Sequence, residues 1–150
     1  GEGMNGRRYL IPCLYSHRPV DLVILGLGCN DLKSRFGFDA TDIASGMNTL
    51  VMDVLRSEAG PATKPPRVLV VSPPLCKETE QSISWGFRGC EAKSQAAIDA
   101  YRSVCKDLAV PYVDLSQVAN VGTDGIHFDA SASAKIGVKM IDEVKKALSA

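Results

Sequence analysis

The stretch Asp21-Leu-Val-Ile-Leu-Gly-Leu27 is an almost uninterrupted apolar run, and Gly28 ends it. Runs of this kind are typical of a strand that is buried on both faces of a parallel sheet. A second run, Arg67-Val-Leu-Val-Val-Ser72, is rich in β-branched residues and stops at Pro73-Pro74. Further along the chain, Val110-Pro-Tyr-Val-Asp114 is a shorter run of the same kind. We therefore predict three strands.

Three segments carry apolar residues at helical spacing: residues 39–56, 89–108 and 131–148. The first of them has Asp39 or Thr41 as a plausible cap. Strands that alternate with helices of this length form right-handed βαβ units. We predict one α/β domain over residues 1–150, with a flavodoxin-like three-layer α/β/α arrangement around a parallel sheet.

The predicted sheet is thin for this architecture, because it has three strands. A strand as apolar as residues 21–27 is not expected on an open edge. We therefore expect one or two amino-terminal strands, absent from this sequence, to pair alongside it.

Composition narrows the class of protein. The chain has 150 residues, 45% of them apolar, which suits a single domain with one core. Its 17 basic and 17 acidic side chains cancel, so we expect neither nucleic acid nor a membrane surface as a partner. No segment approaches the roughly 20 apolar residues of a membrane span, and residues 1–8 have no signal-peptide core. We expect a cytoplasmic protein, although a shortened amino terminus would be compatible with a lost signal.

The cysteines and histidines argue against two kinds of covalent or metal-bound framework. The five cysteines are widely spaced without a C-x-x-C pair, and the chain has two histidines. This pattern argues against a disulfide framework and against a zinc site.

Asn30 follows the first predicted strand, within Gly28-Cys-Asn-Asp31. Ligands of open parallel sheets bind beyond the carboxyl ends of the strands. A carboxamide N–H buried there can stabilise a developing oxyanion, an effect worth about 3 kcal/mol per donor. The alternative is a turn in which Asn and Asp only make local hydrogen bonds.

Asp124 and His127 lie three residues apart in Thr123-Asp-Gly-Ile-His-Phe128, before the last predicted helix. The carboxylate could accept the Nδ1–H of His127 and leave Nε2 free as a general base. The alternative is a capping loop in which Asp124 serves the backbone and His127 packs. His17, in a Pro-flanked polar stretch, is predicted to be a surface residue.

Together these motifs resemble the SGNH (GDSL-type) hydrolases. A strand ending in G-x-N-D, a later strand ending in V-S-P-P and a D-G-I-H-F loop before the last helix match that family in order and roughly in spacing, across essentially the whole chain. Within the family the chain is most similar to the bacterial arylesterase and acyltransferase branch, which also has Y-L-x-x-C-L, D-L-V-I and G-x-N-D-x-K.

The resemblance implies an esterase or acyltransferase that acts on small esters and needs no metal or organic cofactor. It implies that Asp124 and His127 are the acid and base of a Ser-His-Asp system and that Asn30 is an oxyanion donor. It leaves a homo-oligomer open. The family's nucleophilic serine belongs to a G-D-S motif near the amino terminus, and none of the thirteen serines here stands in such a motif.

Gly6 has two interpretations. It is the oxyanion Gly of the family's second motif, or it belongs to the later N-G-x-x-Y-L stretch, because Gly6 and Asn30 are closer in sequence than this branch usually shows. The stretch from Leu75 to Arg88, with Trp85 and Phe87, is expected to shape the acyl or alcohol pocket.

Cys29 stands where the family usually has Thr. A thiol beside a catalytic His could replace the nucleophile. Strand alternation, however, should point Cys29 away from Asn30, which favours plain packing.

Three hypotheses follow. The chain is a truncated ester hydrolase without its nucleophile, which should hydrolyse esters poorly or not at all. It is a catalytically dead domain that binds an ester, acyl group or carbohydrate. Or it is an assembly module whose open strand edge a partner chain completes. The first predicts a G-D-S-encoding segment immediately upstream in the reading frame, and the other two predict its absence.

Overall fold

Three parallel strands form the centre of the protein, whose structure is a computed structural model describing residues 5–149. They are β1 (Leu22–Leu25), β2 (Arg67–Val71) and β3 (Tyr112–Val113), hydrogen-bonded in the order β1-β2-β3. The predicted parallel sheet is confirmed, with strands shorter than the apolar runs that indicated them.

Within residues 5–149, five α-helices surround the sheet: α1 (Gly6–His17), α2 (Ala40–Leu55), α3 (Glu80–Ser84), α4 (Cys90–Asp107) and α5 (Ala130–Ser149). Helices α2, α4 and α5 confirm the three predicted from apolar spacing. Asp39 caps α2: it accepts a hydrogen bond from the Asp42 N–H, and the Asp42 carboxylate accepts one from the Asp39 N–H. The structure thus selects Asp39 over Thr41 as the cap.

Helix α1 was not predicted. Asn5 caps it by accepting from Arg7 N–H, and Pro12 lies inside it. A Pro in a helix interior removes one backbone hydrogen bond and usually argues against a helix. Burial of Leu14 and the Arg7–Asp53 ion pair with α2, 2.7 Å between Nε and Oδ2, hold the helix in place. His17 is therefore the last residue of a helix rather than part of a loop, and its exposed position is as predicted.

The two faces of β2 are covered by different helices. Val68 and Val70 belong to the core shared with α1, α2 and α4. Leu69 and Val71 pack with Val113 and with the apolar side of α5. Alternate residues of a strand point to opposite faces of a sheet, so this division shows a three-layer α/β/α domain. The predicted fold class is confirmed.

Strand β1 forms one edge of the sheet, because within residues 5–149 its hydrogen-bonded neighbour is β2. Ile24 is 46% exposed on the face that α5 covers further along, and Val138 and Ile141 of α5 are 67% and 54% exposed. A further strand beside β1 remains a prediction. No helix within residues 5–149 combines the length and apolar character that a membrane crossing requires.

Candidate active site

A cavity of about 200 Å³ opens beyond the carboxyl end of β1. It is lined by seven residues: Cys29, Asn30, Lys33, Trp85, Phe87, Ile126 and His127. Two predicted site residues that are almost a hundred positions apart in sequence therefore share one cavity, at the position expected for ligands of an open parallel sheet.

His127 and Asp124 are hydrogen-bonded, with 2.8 Å between Nδ1 and Oδ2. The other carboxylate oxygen accepts the backbone N–H groups of His127 and Ile126, each at 2.8 Å. These backbone bonds, followed by the bond from the His127 ring, lower the pKa of Asp124 to about 2. An ionised carboxylate can only accept, so Nδ1 is the nitrogen that donates, and the neutral tautomer that fits this contact has its lone pair on Nε2. This is the geometry of a general base whose ring is oriented by a carboxylate.

The loop that carries this pair is attached to the segment after β2. Lys77 N–H donates to Gly125 O at 2.8 Å, and Thr79 Oγ1–H donates to Asp124 O at 2.9 Å. Gly125 has a φ of +81°, and a Cβ there would lie 2.3 Å from Lys77 O. The roles of Lys77 and Thr79 were not predicted, because no local sequence pattern indicates a contact between residues more than forty positions apart.

Asn30 begins a 3₁₀ turn, Asn30–Leu32, and its side chain is exposed rather than buried. The turn is reached through Gly28, whose φ is +111° and where a Cβ would lie 2.3 Å from Tyr101 Oη. The Tyr101 hydroxyl donates to Leu27 O at 3.1 Å. Gly28 and Tyr101 therefore fix the backbone from which Asn30 projects into the cavity.

Cys29 lines the cavity together with Asn30, so the expectation that it points away was wrong. Alternation applies within a strand, but β1 ends at Leu25 and the backbone of Cys29 is helical, with φ −58° and ψ −47°. The thiol thus faces the space that His127 faces.

Aromatic side chains form another wall of the cavity. The rings of Trp85 and His127 meet edge to face, with centroids 5.6 Å apart, and Lys33 Nζ lies 5.1 Å from the centre of the Phe87 ring. The stretch 75–88 expected to shape the pocket therefore contributes two aromatic residues to it, from the end of α3 and the turn that follows.

No serine is among the cavity-lining residues within 5–149. Ser72, at the end of β2, is buried and its hydroxyl oxygen accepts the Leu115 N–H at 2.9 Å, which is a structural role. Gly6 is the exposed first residue of α1 and does not line the cavity. Its role as an oxyanion donor remains a prediction.

A larger, open groove of about 520 Å³ lies between β3 and α5. It contains the ion pair of Lys139 and Glu143, with 2.9 Å between Nζ and Oε1. None of the predicted site residues lines it, so the smaller cavity is the candidate active site.

The chain is similar to solved structures of esterases. An aryl esterase of M. smegmatis superposes with a TM-score of 0.86 and is 38% identical, over 95% of this chain and 68% of that chain. A carbohydrate acetylesterase from Sinorhizobium meliloti superposes with a TM-score of 0.85 and is 35% identical, over 94% of this chain and 67% of that chain. Comparisons with models of protein families and with curated proteins gave no match.

Proposed function

Because the chain belongs to the SGNH hydrolase family, with aryl esterases and carbohydrate acetylesterases as its structural relatives, we propose that it serves the cleavage of small carboxylic esters. Aryl esters and acetylated carbohydrates are the substrate classes to test first, with transfer of the acyl group to another alcohol as a variant of the same chemistry. The observation that carries the proposal is the 2.8 Å contact of His127 with Asp124 beside a cavity that Asn30 also lines.

In this chemistry a serine hydroxyl attacks the ester carbonyl. His127 Nε2 takes the serine proton and then gives it to the leaving alkoxide, while Asp124 keeps the ring oriented and stabilises the imidazolium. The Asn30 carboxamide donates to the oxyanion of the tetrahedral intermediate, together with backbone N–H groups, of which Gly6 N–H is one candidate. Trp85 and Phe87 provide an apolar wall for the acyl or alcohol group.

We place the nucleophilic serine outside these 150 residues. The sequence has no G-D-S motif, and within residues 5–149 no serine lines the cavity. The solved aryl esterase is longer than this chain, which covers 68% of it. The open edge of β1, where Ile24 is half-exposed, is a suitable place for the strand that precedes the serine.

The first test measures hydrolysis of p-nitrophenyl acetate and labelling by a fluorophosphonate probe on the chain itself. We expect a folded protein with background hydrolysis and no labelled serine. Strong labelling of one of the thirteen serines, with hydrolysis lost in His127→Ala, would show that the nucleophile is within the chain.

The second test fuses to this chain the part of the M. smegmatis aryl esterase that it does not match. We expect ester hydrolysis to appear, to be abolished by His127→Ala and to fall about 10²–10³-fold in Asn30→Ala. His17→Ala is the matched control, because His17 is exposed at the far end of α1, and it should keep full activity. Undiminished hydrolysis in His127→Ala would refute the proposal.

A second candidate function is binding without turnover, which is favoured by a cavity that no described serine lines. Calorimetry with acetylated sugars separates the two. Binding that is weakened by Trp85→Ala, together with a reading frame that has no upstream G-D-S segment, would support the binding module.

A further inference from the structure

Lys33 lines the cavity of the candidate active site, and neither of the functions proposed above uses its charge. We propose that Lys33 makes this cavity selective for esters that carry a carboxylate, such as the monoester of a short dicarboxylic acid, by pairing its ammonium with that group. The inference rests on the proposed ester chemistry and deepens it, because it names the class of ester that the same cavity takes.

The turn after β1 places Lys33 beside the proposed oxyanion donor. Asn30–Leu32 is a 3₁₀ helix, and the Lys33 N–H donates to Asn30 O at 3.3 Å. Side chains three residues apart on a 3₁₀ turn lie one above the other, and Asn30 and Lys33 both line the cavity. An ester whose carbonyl oxygen is bound by Asn30 therefore has the ammonium of Lys33 on the same wall.

The position of the ammonium is restrained before any ligand binds. Leu32 is fully buried, and Ser34 donates to Gly86 O through its backbone N–H at 2.9 Å and through its hydroxyl at 3.1 Å. The Lys33 Nζ lies 5.1 Å from the centre of the buried Phe87 ring. Attraction between a cation and an aromatic face favours this position over the many others open to a lysine side chain.

The protein leaves the charge of Lys33 without a counterion. Within residues 5–149 Lys33 forms no ion pair, and none of the residues that line the cavity is acidic. Asp31 belongs to the same turn but does not line the cavity, and the oxygens of Asp124 accept from His127 and Ile126. The chain has no net charge, yet this half-buried wall is positive and therefore attracts anions.

The rest of the cavity suits a short apolar linker between the ester and the carboxylate. Trp85 and Phe87 offer aromatic surface on which methylene groups can pack. The cavity has about 200 Å³, which is less than the roughly 300–1,000 Å³ of sites for drug-sized ligands. We therefore expect a linker of a few carbon atoms.

Binding to the chain itself tests the proposal without any turnover. Monomethyl succinate carries the carboxylate, and methyl succinamate is its neutral counterpart of nearly the same shape. Each is titrated by NMR, with the side-chain amide of Asn30 and the ring of His127 as reporters of the cavity. We expect monomethyl succinate to have a dissociation constant about 5–10-fold lower, a ratio that falls as sodium chloride is raised because salt screens the charges.

Variants assign this preference to the ammonium. Lys33→Met keeps an unbranched side chain against Phe87 and removes the charge, so the preference for the anionic ligand should disappear, whereas Lys33→Arg keeps the charge and should keep most of the preference. Lys106→Met is the matched control. It removes the same charge from an exposed position in the last turn of α4, outside the cavity, and should leave the preference unchanged.

Three results would overturn the proposal. The first is equal affinity of the parent protein for the two ligands, including binding of both that is too weak to measure. The second is a preference that is unchanged in Lys33→Met. The third is an equal loss of affinity for both ligands in Lys33→Met, which would show that Lys33 only supports the packing of Phe87.

Failure of this proposal and failure of the proposed function give different results. If the fusion protein described above hydrolyses p-nitrophenyl acetate but the two ligands bind equally well, the ester chemistry stands and the selectivity of Lys33 is refuted. If the fusion protein is inactive but the preference depends on Lys33, the ester chemistry is refuted and the selectivity of the cavity for carboxylates stands.

Discussion

Replacing Gly125 with alanine should destabilise the protein through the loop that carries Asp124 and His127. Gly125 has a φ of +81°, a conformation that an alanine adopts at a cost of about 1–2 kcal/mol. The new Cβ would also lie 2.3 Å from Lys77 O and 3.1 Å from Thr79 Cγ2. Relief of that clash requires the loop to move away from Lys77 and to weaken the Lys77 N–H to Gly125 O bond, which costs about another 1 kcal/mol. We expect a total loss of about 2–3 kcal/mol in the free energy of unfolding.

Substitutions at two other glycines separate the cost of backbone strain from the cost of the clash with Lys77. Gly86 has a φ of +90°, and a Cβ added there would have nothing within 4 Å, so Gly86→Ala should cost the backbone strain alone, about 1–2 kcal/mol. Gly137 lies in α5 with open space around it and an ordinary φ, so Gly137→Ala should stabilise the protein by about 0.5–1 kcal/mol.

The assay is urea unfolding of the four proteins, followed by circular dichroism, with equal slopes as the check that the same transition is compared. The expected order of stability is Gly137→Ala, parent, Gly86→Ala, Gly125→Ala. A free energy of unfolding for Gly125→Ala equal to that of Gly86→Ala would show that the contact with Lys77 does not restrain the loop.

Three further predictions follow from the site. The pKa of Asp124 is about 2 in the folded protein and about 3.9 in an unfolded chain. The ionised carboxylate therefore gives stability that is fully present above about pH 5 and is lost as the pH falls through about 2. The difference in unfolding free energy between the parent and Asp124→Asn should narrow over that range, and a difference that is unchanged at pH 2 would contradict this. Gly28→Ala should cost about 2–4 kcal/mol in urea unfolding, and about 1 kcal/mol less in a Tyr101→Phe background, since the hydroxyl oxygen is what the Cβ would strike. Trp85→Ala should shift the His127 ring resonances in NMR spectra while changing global stability by no more than about 1.5 kcal/mol, because the indole is 38% exposed; unshifted resonances would exclude the ring contact.

The sheet and three of its helices could be predicted because their signal is local. Burial on both faces requires an apolar run such as residues 67–72, and packing of one helix face requires the spacing of α2, α4 and α5. Helix α1 has a weaker local signal, since Pro12 argues against it and its stability comes from packing on α2. Tertiary contacts override propensity there.

The candidate site was predictable to the extent that each motif carries its own chemistry. Asp124 and His127 are close in sequence, so their contact follows from a short loop. The attachment of that loop to Lys77 and Thr79, and the shared cavity of Cys29 with His127, depend on how distant segments meet. Strand alternation gave a wrong orientation for Cys29 because the strand had already ended.

The parallel pairing of the strands also sets the order in which the protein can fold. Leu22 is opposite Arg67, and Val70 is opposite Tyr112, so each ladder closes a loop of about 40 residues or more. Closing such loops costs chain entropy before any pairing compensates it, whereas α2 and α4 form from contacts within one segment. We therefore expect slow folding in which helices precede the sheet. Until β2 is enclosed its apolar residues face water, so refolding yield should fall as protein concentration rises.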